Sequence, residues 1–211
     1  MRYFKEILKK RLPESLLSEI REYRKNPRNE RATYLRLRIW NGLGFRAMGR
    51  LRVPSASRSL LFVCFGNIIR SPMCEALVKR ALAGQPRSDI TVTSAGIHAI
   101  PGRQAHPWAI SAASEMGIDL SHHEARLLTA EMVAHADAIL AMDCRNVVEL
   151  VSQFPSAKRK VYMLGAYAEN GRRSVEIEDP YYGHEAGTRQ CYETLQLCIN
   201  KLIPPLAGFS R

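Results

Sequence analysis

Nowhere in the 211 residues do apolar side chains run for the ~20 positions that a bilayer-spanning helix needs. The first residues hold no uncharged apolar core of the signal-peptide kind, because lysines and arginines interrupt every stretch. Cysteine is sparse: the five, at 64, 74, 144, 191 and 198, form no Cys-x-x-C pair and no Cys/His group at zinc spacing. Their odd number and scatter speak against a disulfide framework and suit reduced thiols, so cytoplasmic residence is the expectation. Internal repeats and low-complexity tracts are also missing. Acidic residues are scarce in one region only. Residues 1–59 hold sixteen lysines and arginines against five glutamates, whereas residues 60–211 balance fifteen against fifteen. The whole net charge of +11 therefore lies in the first quarter. A neutral domain carries a basic arm.

Within the arm, apolar residues at 4, 7, 8, 16, 17 and 20 keep a helical rhythm that Pro13 divides. Tyr34 to Trp40 alternates like a strand, though its flanks also permit a helix. Leu51 to Ser59, with Pro54 and three serines, reads as a linker. The expected division is thus a basic extension and linker over 1–58 and a domain over 59–211. Beyond the linker, strands are expected near 60–64, 90–94, 138–142 and 160–164. Helices are expected near 72–83, 106–116, 129–135, 144–153 and 186–203. Strand and helix in turn imply an α/β fold with a parallel sheet.

One segment carries the chemistry. The apolar run Leu60 to Val63 reads as a buried strand ending at Cys64, and Pro72 suits the first position of a helix with Ser71 as its cap. Between them lies Cys-x5-Arg-Ser, a spacing from which a phosphate cradle can be built. Backbone N–H groups of Phe65, Gly66, Asn67, Ile68 and Ile69 can turn inward around an anion, aided by the helix N-terminus. Gly66 lets the loop bend sharply and approach the ligand. Arg70 can fork two hydrogen bonds onto phosphate oxygens. The same electropositive nest favours the ionised sulfur of Cys64, and a Ser71 hydroxyl aimed at that sulfur would add to this. A bound oxyanion would then face a nucleophile.

The segment resembles the signature of the low-molecular-weight protein tyrosine phosphatases. The likeness continues in order through Ser94-Ala95-Gly96, Gly117 to Ser121, His123 to Arg126, Asp137 to Asp143 and Glu178 to Gly183. It implies a three-layer sandwich around a four-stranded parallel sheet of order 2-1-3-4; the basic extension, helical by its own rhythm, is added to that domain. It implies attack by Cys64 on phosphorus, phosphate binding by Arg70, and Asp179 as the acid that protonates the leaving oxygen and then activates water. Tyr181 and Tyr182 resemble the family's aromatic wall, and Phe65 could form the wall opposite. Such a slot suits a flat phenyl phosphate and leaves a serine ester too short to reach Cys64. Asn67, Ser94 and His123 are the residues thought in the family to brace the loop; Asp137 and Asp143 read as structural. No cofactor or metal is called for, since Arg70 and the loop amides carry the charge stabilisation.

Departures from the family pattern bear on the reading. Ile69 stands where many members have a second cysteine able to trap an oxidised nucleophile. Cys74, on the following helix, is expected to turn into the core. Related arsenate reductases need two further thiols; Cys144 lies near the expected region, but no partner follows it before Cys191, which leaves the relay without a second thiol. Protein-arginine phosphatases share the scaffold, typically with Thr where Ile68 stands, and the larger apolar side chain resembles the tyrosine-specific branch. A phosphate-binding adaptor acting through its basic arm is the non-enzyme alternative. The expected partner is a tyrosine-phosphorylated protein, by family analogy a bacterial tyrosine autokinase. The arm suits an acidic protein or anionic lipid surface; no recognised fold supports nucleic acid, and five glutamates argue against a mitochondrial presequence. Removing residues 1–55 is expected to leave turnover of a small phosphate ester nearly intact, measured on the purified truncated chain. An inactive product would place the arm within the active fold.

Overall fold

The computed structural model describes residues 31, 32, 35, 52–83, 89–168 and 176–207. Of the arm, Arg31, Ala32 and Leu35 are helical. The expected helical rhythm over 4–20 and the rest of the stretch 34–40 lie outside the described residues.

Four parallel strands form one sheet: β1 (Ser59–Cys64), β2 (Thr91–Gly96), β3 (Ala138–Ala141) and β4 (Val161–Met163), in the order β2-β1-β3-β4. The helices are α1 (Arg70–Leu82), α2 (Pro107–Glu115), α3 (Ala130–His135), α4 (Cys144–Gln153) and α5 (Glu185–Ala207). Alternation along β1 builds the three layers, because successive side chains point to opposite faces. Leu60, Phe62 and Cys64 enter one core with residues of α1, α2 and α5. Leu61 and Val63 enter the other with residues of α3 and α4. A strand buried on both faces reads as an unbroken apolar run, which is what Leu60 to Cys64 is.

Caps fix where three helices begin. His106 Nδ1 accepts from Trp108 N and precedes Pro107 at α2, Thr129 caps α3, and Asp143 Oδ1 accepts from Asn146 N at α4. α1 is the exception. It begins at Arg70, after Ile69 without a side-chain cap, so Ser71 and Pro72 lie inside the first turn rather than at cap and first position. The Ser71 hydroxyl has other partners, described below. α5 runs four residues past its expected end, through Pro204 and Pro205. Leu202, Ile203 and Leu206 are buried there, and packing overrides the local cost of proline.

The segment expected as a linker is anchored. Val53 is buried in the main core, and its N–H donates to Tyr167 Oη at 2.8 Å. At the entry to β1, Asp137 Oδ2 accepts from Arg58 N and Ser59 N at 2.8 and 3.0 Å, which gives Asp137 the structural role expected of it. Tyr167→Phe removes the acceptor and leaves the buried Val53 N–H unpaired. Urea unfolding should show a loss of about 1–3 kcal/mol; an unchanged midpoint would mean that residues 52–58 do not hold the domain.

Candidate active site

Cys64 ends β1 in register with Gly96 at the end of β2, so the loop 65–69 springs from the carboxyl edge of the sheet. Its conformation follows from where its carbonyls go. Cys64 O accepts from Ile97 N at 3.0 Å, Phe65 O from His98 N at 2.8 Å, and Ile68 O from His106 N at 2.9 Å. Asn67 O faces His123 Nε2 at 2.8 Å, and Ile69 O accepts from Tyr192 Oη at 3.1 Å. A peptide whose carbonyl is held outward turns the next N–H inward. By that rule the amides of Phe65, Gly66, Ile68, Ile69 and Arg70 turn inward, and Asn67 N, on the one loop peptide outside that set, points at Cys64 Sγ from 3.3 Å.

Asn67 is the backbone pivot, with φ of 53° in the left-handed region that asparagine tolerates better than most residues. Its side chain, fully buried, locks the turn. Nδ2 donates to Ser71 Oγ and Ser94 Oγ, both at 2.9 Å, while Oδ1 accepts from Arg126 N at 2.8 Å. Ser94 in turn donates to Glu75 Oε2 at 2.6 Å, and Arg126 pairs with the same carboxylate. Ser71 Oγ lies 3.0 Å from Cys64 Sγ. Burial lowers the His123 pKa from its ordinary value, so the ring is readily neutral and can donate through Nε2 to Asn67 O. The three residues expected to brace the loop, Asn67, Ser94 and His123, therefore meet in one network. Glu75 and Arg126 complete it and were not foreseen.

The bend at Gly66 does not use left-handed backbone: its φ is not positive, and a Cβ there would meet only the Ile68 side chain among protein atoms, at an ordinary 3.6 Å. The position that excludes a side chain is Gly96. A Cβ at Gly96 would lie 2.7 Å from Asn67 N and 2.8 Å from both Gly66 C and Phe65 O. Strand β2 and the loop touch backbone to backbone.

Arg70 is 2% exposed and held by three acceptors: Asp143 Oδ2 at 2.7 Å, Ile177 O at 3.0 Å and Asp179 Oδ2. Burial works against its charge, but the carboxylates of Asp143 and Asp179, with Cys64, outweigh it and raise the Arg70 pKa above arginine's usual value. Removing one partner of such a buried pair commonly costs about 3–5 kcal/mol. Asp143 so joins two tasks, capping α4 and fixing the guanidinium. Asp179 sits at the mouth, its side chain 36% exposed, and its Oδ1 accepts from Tyr181 N at 3.2 Å at the start of the short turn Pro180–Tyr182.

A cleft of about 240 Å³ opens over Cys64 and Arg70. Phe65, Gly66, Ile68, Ile69, Asp179, Tyr181 and Tyr182 line it as expected. Asn67 and Ser71, expected among the substrate contacts, lie behind the loop with side chains fully buried. His98, Ile100, Arg103 and Arg145 line the cleft as well and were not foreseen. All four follow the carboxyl ends of β2 or β3 within a few residues, which is where ligands gather in such sheets. Cys74 turns into the core, where burial pushes its thiol well up. Burial likewise pushes Cys191 and Cys198 up to about 12. All five thiols are free.

A family model described as low molecular weight phosphotyrosine protein phosphatase matches residues 59–208. The probable low molecular weight protein-tyrosine-phosphatase EpsP of Ralstonia nicotianae is 35% identical over 147 residues, covering 70% of this chain and 94% of that protein. The low molecular weight phosphotyrosine protein phosphatase of Sus scrofa is 36% identical over 152 residues, covering 70% of this chain and 94% of that one. Among solved structures, the tyrosine phosphatase amsI of Erwinia amylovora aligns with a TM-score of 0.64 at 32% identity, covering 74% of this chain and 95% of that chain. The YwlE arginine phosphatase of Geobacillus stearothermophilus aligns at 0.63 and 32%, covering 72% and 94%.

The close approach at Gly96 yields a direct test. Gly96→Ala forces a methyl into the loop backbone and should cost about 1–3 kcal/mol of stability. It should also distort the anion cradle, so that kcat/KM on a small phosphate ester falls far more than it does for Gly66→Ala. Comparable activity of the two variants would disprove the contact.

Proposed function

The chain belongs to the low-molecular-weight phosphotyrosine protein phosphatase family, and within that family we propose that Cys64, Arg70 and Asp179 carry the reaction. It is a protein-tyrosine-phosphatase, a hydrolase of phosphoric monoesters whose partner is a tyrosine-phosphorylated protein. The observation that supports the residue roles is the sulfur's surroundings: Ser71 Oγ at 3.0 Å, Asn67 N at 3.3 Å, and the Arg70 guanidinium close enough to feel its charge.

A phosphoryl dianion enters the cleft and takes Arg70 from Asp179. The Cys64 thiolate attacks phosphorus in line; the S–P bond forms as the bond to the phenolic oxygen breaks. Asp179, once released from Arg70, takes up a proton from solvent and gives it to that oxygen. Tyrosine leaves. Asp179, now a carboxylate, takes a proton from water as the water oxygen attacks phosphorus. The S–P bond breaks, inorganic phosphate departs and the thiolate returns. Asp143 stays on Arg70 throughout and keeps it aimed. Phe65 and Tyr181 hold the phenyl ring between them.

The finer partner we propose is a tyrosine autokinase. The domain begins near residue 52, and the basic segment before it meets an acidic protein or anionic lipid surface. The concentration of most of the net charge in that segment, fourteen lysines and arginines against five glutamates, supports this.

A panel of phosphotyrosine, phosphoserine and phosphoarginine substrates with arsenate, run beside two variants, tests the reading. Phosphotyrosine should be turned over and the others should not; Cys64→Ser should abolish turnover. Asp179→Ala should slow phenyl phosphate by about 10²–10⁴-fold while affecting p-nitrophenyl phosphate much less. Preference for phosphoarginine would transfer the chain to the arginine-phosphatase reading, and full activity of Cys64→Ser would end the mechanism.

A further inference from the structure

Two arginines besides Arg70 line the mouth of the cleft, and they stand at different walls. Arg145 lies against Phe65, its guanidinium carbon 5.1 Å from the ring centroid. Its Nε donates to Glu149 Oε1 at 2.7 Å, and the other oxygen of Glu149 meets His98 Nε2 at 2.6 Å. The His98 ring lies tilted by 37° against Phe65 with centroids 4.6 Å apart. Glu149, only 8% exposed, so holds a cation and an imidazole against the same aromatic wall.

Arg103 belongs to the opposite side. Its charge, after burial, lowers the pKa of His106, and the His106 ring meets Tyr181 edge-on at 5.7 Å. Arg103 is exposed, and no carboxylate among the described residues pairs with it. Among the described residues, the one acidic side chain lining the cleft is Asp179, which Arg70 already holds. A phenyl phosphate seated between Phe65 and Tyr181 would carry its flanking residues past a cation on each side.

We infer that Arg103 and Arg145 select tyrosine phosphates whose neighbouring residues bear carboxylates, so that the protein substrate presents its phosphotyrosine in an acidic segment. The inference rests on the phosphatase reading above and adds the sequence context of the substrate. Both cations lie at the solvent edge, so each contributes modestly and their effect weakens with salt.

The test uses the full chain and three peptides that differ only beside one phosphotyrosine, with Glu, Gln or Lys at the flanking positions. The Glu peptide should exceed the Gln peptide in kcat/KM by about 3- to 20-fold at low salt, through KM, and Lys should rank last. The ratio should shrink as ionic strength rises. Arg103→Glu should reduce or invert the ranking; each ranking compares peptides on one enzyme and does not depend on how much of the variant folds. p-Nitrophenyl phosphate, which has no flanking residues, separates the two claims. If the wild-type chain hydrolyses it yet treats the three peptides alike, or if Arg103→Glu keeps the full preference for Glu, the selection by these arginines is overturned. If the wild-type chain hydrolyses neither, the phosphatase reading falls first.

Discussion

Five outward-facing carbonyls govern this molecule. Those of Cys64, Phe65, Asn67, Ile68 and Ile69 are each held by a donor on another part of the chain: two backbone amides after β2, His123, the first cap of α2, and a tyrosine of α5. Buried peptide groups must find partners, and here every partner lies on the outside of the loop. The inside is left to amide hydrogens. An anion cradle thus arises because the carbonyls have better places to go, and the surrounding secondary structure supplies those places. The cradle is a property of the whole domain more than of its own residues.

The same logic of committed partners explains Arg70. A buried guanidinium without acceptors would be intolerable, and Asp143 and Ile177 O give it permanent ones. Asp179 is different in kind. It comes from a half-exposed turn and touches the same guanidinium; in the mechanism proposed above it gives way to a phosphoryl oxygen. In that mechanism one cation serves both as a fixed post and as a changeable contact. Asp143 doubles as the cap of α4, which ties the post to a helix start and limits its movement.

Much of this was legible in the chain. Runs such as Leu60 to Cys64 and Ala138 to Ala141 announce doubly covered strands, and the ordered motifs led to Cys64, Arg70 and Asp179. What periodicity could not reveal was long-range pairing. Nothing near Gly96 in sequence says that its missing side chain makes room for Asn67, and Gly66 drew that attention instead. Ser71 looked like a cap because caps are local, whereas its hydroxyl answers to Asn67 and Cys64. Glu75, Arg126, His98 and Arg145 escaped notice for the same reason: each acquires meaning only from a residue tens of positions away. The supposed linker hid its anchor likewise, since Val53 bonds a tyrosine 114 residues distant.

The Arg70–Asp179 contact gives the resting enzyme a tenant of its own. Chloride, acetate or bicarbonate, each with a single charge and no tetrahedral fit, would have to evict a carboxylate already tied to the backbone through Tyr181 N. A doubly charged ester, bonded at once by amides and guanidinium, would compete on better terms. The Cys64 sulfur so shares its chamber with a carboxylate of the same chain, a built-in competitor that any single charge would have to outbid.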